Sequence, residues 1–146
     1  MKRIILASHG PFCEGLLNTG KMIAGEEALK DVKTISITMS DSTSDIKERI
    51  EEIFAEYDVN DEILALTDVY GGSVTSVIAE YIGERNIHII TGVNLGMFLE
   101  ACLTIEQMSM DDLVLYLLKQ GKNAIHDVNA ELVCAKGDEI WLKLYT

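Results

Sequence analysis

ILASHGPFCEGLL, Ile5 to Leu17, opens as an apolar run and closes as the start of a helix, with Ser8-His9-Gly10-Pro11 at the junction. The run Arg3 to Ala7 is short, aliphatic and rich in isoleucine. That pattern marks a strand buried on both faces of a parallel sheet. Pro11 suits the first turn of a helix, where its missing N–H removes no bond. Glu14 to Ala24 then reads as a helix with Leu16, Leu17, Gly20 and Ile23 on one side. His9, one of three histidines in the chain, falls at the strand end.

The alternation continues. Val32 to Ile37 reads as a second strand, and Ser40-Asp41-Ser42-Thr43-Ser44 offers several N-caps. The helix that follows carries Ile46, Ile50, Ile53 and Phe54 at helical spacing. Glu62 to Thr67 (EILALT) is a third strand. After Gly71-Gly72-Ser73, a helix sets Val74, Val77, Ile78, Tyr81 and Ile82 on one face. Asn86 to Thr91 (NIHIIT) is a fourth strand. A short helix follows Gly92-Val93-Asn94, and another spans about Ser109 to Gln120, turning Met110, Leu113, Val114, Leu117 and Leu118 inward. Strand and helix trade places four times. This predicts a three-layer, doubly wound α/β fold of flavodoxin-like type, with four parallel strands in the order 2-1-3-4 and right-handed crossovers. The end of the chain departs from this. Ala130 to Ala135 and Glu139 to Tyr145 read as two short strands around Lys136-Gly137-Asp138, without a crossover helix. An antiparallel pair is expected there, as a hairpin on a sheet edge or an arm that pairs with another subunit.

At 146 residues, one domain over 1–146 is expected. The longest apolar runs fall far short of the roughly 20 residues a membrane helix needs. MKRIILASHG lacks the features of a signal peptide, so a cytoplasmic protein is expected. The formal charge of −12 would repel a phosphate backbone, which argues against nucleic acid as a partner. Cys13, Cys102 and Cys134 form no Cys-x-x-Cys and no zinc spacing, and read as reduced thiols. No metal and no cofactor is expected.

Ligands of an open parallel sheet bind outside the carboxyl ends of the strands. Four segments collect there: His9-Gly10, the Ser40 region, Asp68 to Ser73, and Gly92-Val93-Asn94. In TDVYGGSV, Asp68 follows an apolar strand, and Ser73 is a natural N-cap for the next helix, whose start favours a phosphate. Strands one and three are often neighbours in such sheets, which brings His9 and Asp68 face to face. A carboxylate that accepts one ring N–H fixes the tautomer of an imidazole and leaves the other nitrogen as a nucleophile. Attack on phosphorus would then give a phosphohistidine. The Gly-Gly-Ser helix start would hold the phosphoryl oxygens.

S-H-G with E-G-L-L after strand one, D-V-Y-G-G-S after strand three and T-G-V-N-L-G-M-F-L-E after strand four lie in order over Met1 to Gln120. Together they resemble the IIA component of the bacterial sugar phosphotransferase system (PTS), mannose family. The resemblance implies that His9 is the phosphorylated residue and that Asp68 pairs with its other nitrogen. It implies that Gly10, Gly71, Gly72 and Ser73 contact the phosphoryl group, with Gly92-Val93-Asn94 near the site. It implies a phosphoryl group accepted from the phosphocarrier protein HPr and passed to a IIB component, with sugar carried by membrane IIC and IID subunits. It also implies a homodimer that exchanges its last strand, which fits the strand-like tail at about 130–145. In the family, Gly-Gly-Ser is often followed by Pro or Thr and then, two positions on, by Asn. Here the run is Val74-Thr75-Ser76. No fused IIB domain is expected.

Two rival functions share this pattern. The phosphotransfer subunit of phosphoenolpyruvate-dependent dihydroxyacetone kinase uses the same kind of histidine but usually lacks the full D-x-x-G-G-S and G-V-N pattern. A non-catalytic flavodoxin-like regulatory module would account for the sheet and the glycine loops but not for His9 opposite Asp68.

Overall fold

The computed structural model describes residues 1–134. Its elements in chain order are β1 (Lys2–His9), α1 (Phe12–Ala24), β2 (Lys33–Ile37), α2 (Thr43–Ala55), β3 (Glu62–Thr67), α3 (Ser73–Ala79), β4 (Asn86–Thr91), α4 (Leu95–Thr104), α5 (Met110–Asn123) and α6 (Val128–Cys134), with a 3₁₀ turn at Glu27–Leu29. The strands form one parallel sheet, as the alternation predicts, in the order β2-β1-β3-β4 expected of the flavodoxin-like fold.

Residue parity along the strands assigns the two faces. Ile4 and Leu6 of β1, Leu64 and Leu66 of β3 and Ile90 of β4 pack under α1, α4 and α5, with Phe98 at the centre. Ile5, Ala7, Ile63, Ala65 and Ile87 face the other way, against Ile46, Ile50 and Phe54 of α2 and Val74, Val77 and Ile78 of α3. Burying one such Leu or Ile side chain stabilises the fold by about 1.5–3 kcal/mol. Gly20 lets α1 approach the core around Phe98, since a Cβ there would lie 2.7 Å from Leu29 and 2.8 Å from Phe98.

Four expectations are corrected. Ile23, Ile82 and Leu118 are exposed rather than inward. α3 stops at Ala79, where Ile82 N–H bonds back to the Ala79 carbonyl in a tighter turn. Ser73 is the first residue of α3 rather than its cap, which is Gly72. The run from Ala130 reads as a strand, yet Val128–Cys134 is helical. Its start is held by Asp127, whose side chain accepts the Ala130 N–H at 3.0 Å, as a helix cap does. The stretch Glu139 to Tyr145, its turn and any strand exchange lie outside the described residues.

Candidate functional site

β1 and β3 pair from Lys2↔Glu62 to Ala7↔Thr67, so the residues just beyond them emerge side by side. His9 and Asp68 sit there. Asp68 Oδ2 lies 2.7 Å from His9 Nδ1 and accepts the His9 backbone N–H at 2.8 Å. Its other oxygen, Oδ1, accepts the Val69 N–H at 2.8 Å. Burial pushes the Asp68 carboxyl up, but these His9 and Val69 donors outweigh it and hold the carboxyl below the ordinary range. An ionised carboxylate only accepts hydrogen bonds. Nδ1 therefore carries the proton, and in the neutral ring Nε2 carries the lone pair. The His9 side chain is half exposed, and Ser73 Oγ stands 3.5 Å from Nε2, at the outer limit of a hydrogen bond.

The turn that presents His9 is stapled from below. The buried Ser8 hydroxyl accepts the Cys13 N–H at 2.8 Å, satisfying a free donor of α1, and donates to the Gly10 carbonyl at 3.2 Å. Gly10 takes φ +57° and donates its N–H to the Ile37 carbonyl at 2.7 Å. Gly72 donates its N–H to Val69 at 3.2 Å. The amides of Gly10 and Gly72 are thus already engaged. These glycines provide turn geometry and room, while the Ser73 hydroxyl faces the ring nitrogen. A Cβ at Gly72 would stand 3.0 Å from His9 Cε1.

His9 opens onto a cleft of about 410 Å³ that is also lined by Gly10, Ile37, Thr38, Met39, Asp41 and Ser73. Asp41 is paired with Arg49 at 2.6 Å, and this bond, with the Thr38 N–H, holds its carboxyl down. Ser40 Oγ lies 3.0 Å from the Thr38 hydroxyl. Gly92 and Val93 brace the third loop, donating their N–H groups to the Asp68 and Thr67 carbonyls at 3.1 and 3.0 Å. Asn94 is structural: it caps α4 through the Met97 N–H at 2.9 Å and donates to the Gly121 carbonyl at 2.8 Å.

The remaining candidates lie apart from this cluster. Cys13 is buried on α1 with its thiol 3.3 Å from Ser36 Oγ. His88 faces Asp111 at 3.9 Å on β4, and His126 pairs with Glu131 at 2.6 Å beyond α5. Among the described residues, no group of three His, Cys, Asp or Glu side chains is placed to hold a metal ion. No helix among them is long and apolar enough to cross a membrane. Two groups next to this site are not singled out by the sequence: Ser8, for which the S-H-G motif is a signal, and Thr75, in the first turn of α3.

The EIIA-man family model, described as "PTS system fructose IIA component", matches residues 3–117. The mannose-specific EIIAB component of the PTS from Escherichia coli K12 is 26% identical over 132 residues. That match covers 89% of this chain and 40% of the relative, so the chain spans about two fifths of that protein's length. The fructose-specific EIIA component of Bacillus subtilis is 26% identical over 78% of this chain and 77% of its own length. The solved mannose/sorbose-specific IIA subunit of Enterococcus faecalis superposes with a TM-score of 0.79 at 31% identity, covering 88% of this chain and 96% of that one.

Proposed function

The chain belongs to the EIIA component family of the sugar phosphotransferase system, and on that premise we propose that it is a phosphoryl carrier working through a phosphohistidine at His9. The observation that carries this is the 2.7 Å pair between His9 Nδ1 and Asp68, which leaves Nε2 as the nucleophile on an open cleft.

In the proposed step, Nε2 attacks the phosphorus of phospho-HPr. The new N–P bond forms as the bond to the donor's histidine nitrogen breaks, and that nitrogen keeps the electron pair. Positive charge grows on the His9 ring, and Asp68 offsets it through the Nδ1–H bond. Ser73 would donate to a phosphoryl oxygen, and Gly10, Gly71 and Gly72 would leave space for the group. Reversing the geometry hands the phosphoryl group to a IIB component, which serves sugar uptake through membrane IIC and IID subunits. The side chains of Phe12, Val69 and Tyr70, on segments next to His9, and of Met39, in the cleft, are exposed. Such apolar groups suit a protein partner better than a small polar substrate. We also take 1–146 as one EIIA domain, acting in the cytoplasm as a homodimer.

The test is to mix the protein with phosphoenolpyruvate, enzyme I and HPr and weigh it intact. One acid-labile phosphoryl group is expected on the wild type and none on His9→Ala. No label on the wild type, or equal label on both, overturns the assignment.

A further inference from the structure

Val74-Thr75-Ser76 follows Gly-Gly-Ser in the sequence. Thr75 stands in the first turn of α3, two residues after Ser73. Its hydroxyl lies 2.8 Å from that of Thr67 and 3.3 Å from the Val69 carbonyl. Thr67 is fully buried at the end of β3. One hydroxyl therefore ties α3 to both residues that flank Asp68. On the other side, the Gly92 and Val93 N–H groups hold the Asp68 and Thr67 carbonyls. Asp68 is caught between a backbone clamp from the loop after β4 and a side-chain clamp from α3.

The two nitrogens of His9 have partners on the two parts that Thr75 joins. Nδ1 meets Asp68 in the loop, and Nε2 meets Ser73 on α3. We infer that Thr75 is a positioning residue: by tying α3 to Thr67 and Val69, it fixes the spacing between Asp68 and Ser73 and so aims the His9 ring for transfer. This rests on the phosphoryl-carrier function proposed above. It assigns a task to the side chain between Val74 and Ser76, the two positions at which the chain departs from the family's usual pattern.

Thr75→Val keeps the β-branched shape and removes the hydroxyl. It also leaves the Thr67 hydroxyl buried without that partner, which lowers stability whatever the role. Three variants separate the two effects. Thr75→Ser retains the hydroxyl. Thr67→Val/Thr75→Val removes both hydroxyls and with them the orphan. Single-turnover transfer from phospho-HPr, thermal melting and the ¹⁵N signals of the His9 ring are measured for each. Thr75→Val should transfer about tenfold more slowly at saturating donor with KM unchanged, while Thr75→Ser stays within about twofold of wild type, since small misplacements of reacting groups cost rate rather than binding. The double variant should regain melting temperature without regaining rate, and its Nδ1–H signal should be weakened. Wild-type rate in Thr75→Val, or rate that follows melting temperature across the set, overturns the role of Thr75. Absence of transfer by the wild type instead overturns the carrier function on which that role rests.

Discussion

Asp68→Asn tests the site at its most constrained atom. Three donors converge on the carboxylate: the His9 N–H and Nδ1–H on Oδ2, and the Val69 N–H on Oδ1. Asparagine has one carbonyl oxygen to offer them. If it faces His9, the amide NH₂ faces the Val69 N–H, donor against donor. If it faces Val69, the NH₂ faces Nδ1, which must then accept, and the proton moves to Nε2. That second arrangement removes the nucleophile. Even in the first, a charge-assisted bond worth about 1.5–3 kcal/mol becomes a neutral one as positive charge grows on the ring. A neutral bond is worth about 0.5–1.5 kcal/mol, so the loss is about 1–1.5 kcal/mol, which at about 1.4 kcal/mol per factor of ten alone slows transfer by about 5- to 12-fold. The tautomer shift adds to the loss. We expect at least about a 100-fold drop in the single-turnover rate from phospho-HPr, with the folded state retained. Rapid-quench measurement of acid-labile phosphate gives the rate, and ¹⁵N shifts of the His9 ring report which nitrogen holds the proton. A rate within threefold of wild type, with the proton still on Nδ1, would refute this mechanism.

The remaining predictions concern space and charge. Gly72→Ala suits the backbone, since φ there is −67°, but its Cβ would lie 3.0 Å from His9 Cε1 and 3.2 Å from the Val69 carbonyl. The half-exposed ring is expected to rotate away, slowing transfer about tenfold with little change in melting temperature, and an unchanged rate would rule out a tight fit at this position. At the opposite end of the sheet, the Met1 amino group and Arg3 bond to Asp61 and, against burial, lower its carboxyl from 3.8 to about 2. Because the folded value is the depressed one, this stabilisation is present above the unfolded value and is lost as pH falls from about 4 to 2. The gap in melting temperature between wild type and Asp61→Asn should therefore close across that window, and a gap that stays constant would contradict it.

The sheet was legible because its strands are buried on both faces. EILALT and NIHIIT are bounded as read, Glu62–Thr67 and Asn86–Thr91. No run of polar residues within them competes for another assignment. His9 and Asp68 were legible through topology: once strands one and three are neighbours, their ends must meet. Finer placements were not, for reasons that can be named. Valine in VNAELVC points toward a strand, but Asp127 in cap position and the helix formers Ala130, Glu131 and Leu132 carry the segment into α6. Ser73 looked like a cap because serine favours that position, yet the helix begins one residue earlier in capping terms, at Gly72. The engagement of the Gly10 and Gly72 amides depends on carbonyls of Ile37 and Val69. Local pattern does not reveal such a long-range backbone pairing as Gly10 with Ile37. The link from Thr75 to Thr67 spans eight residues and joins two elements, so neither helical nor strand periodicity could signal it.

A carrier faces a demand that a hydrolase does not: it must give up its cargo intact. Interactions that hold the phosphoryl group equally well before and during transfer deepen the resting state without speeding the step. The groups around His9 suit that demand. The cleft lining combines hydroxyls of Thr38 and Ser73 with the apolar chains of Ile37 and Met39, and its carboxylate, Asp41, is already paired with Arg49. Asp68 is paired with Nδ1, where charge would change in the proposed transfer, rather than with the phosphoryl group that Nε2 would carry. One accessible nitrogen also imposes an order on events. In the proposed mechanism donor and acceptor would each approach Nε2 in line with the N–P bond, through the cleft that Met39 lines. They cannot occupy that approach together, so the donor must leave before the acceptor arrives. The proposed phosphohistidine would then persist between two encounters, and ping-pong kinetics are expected.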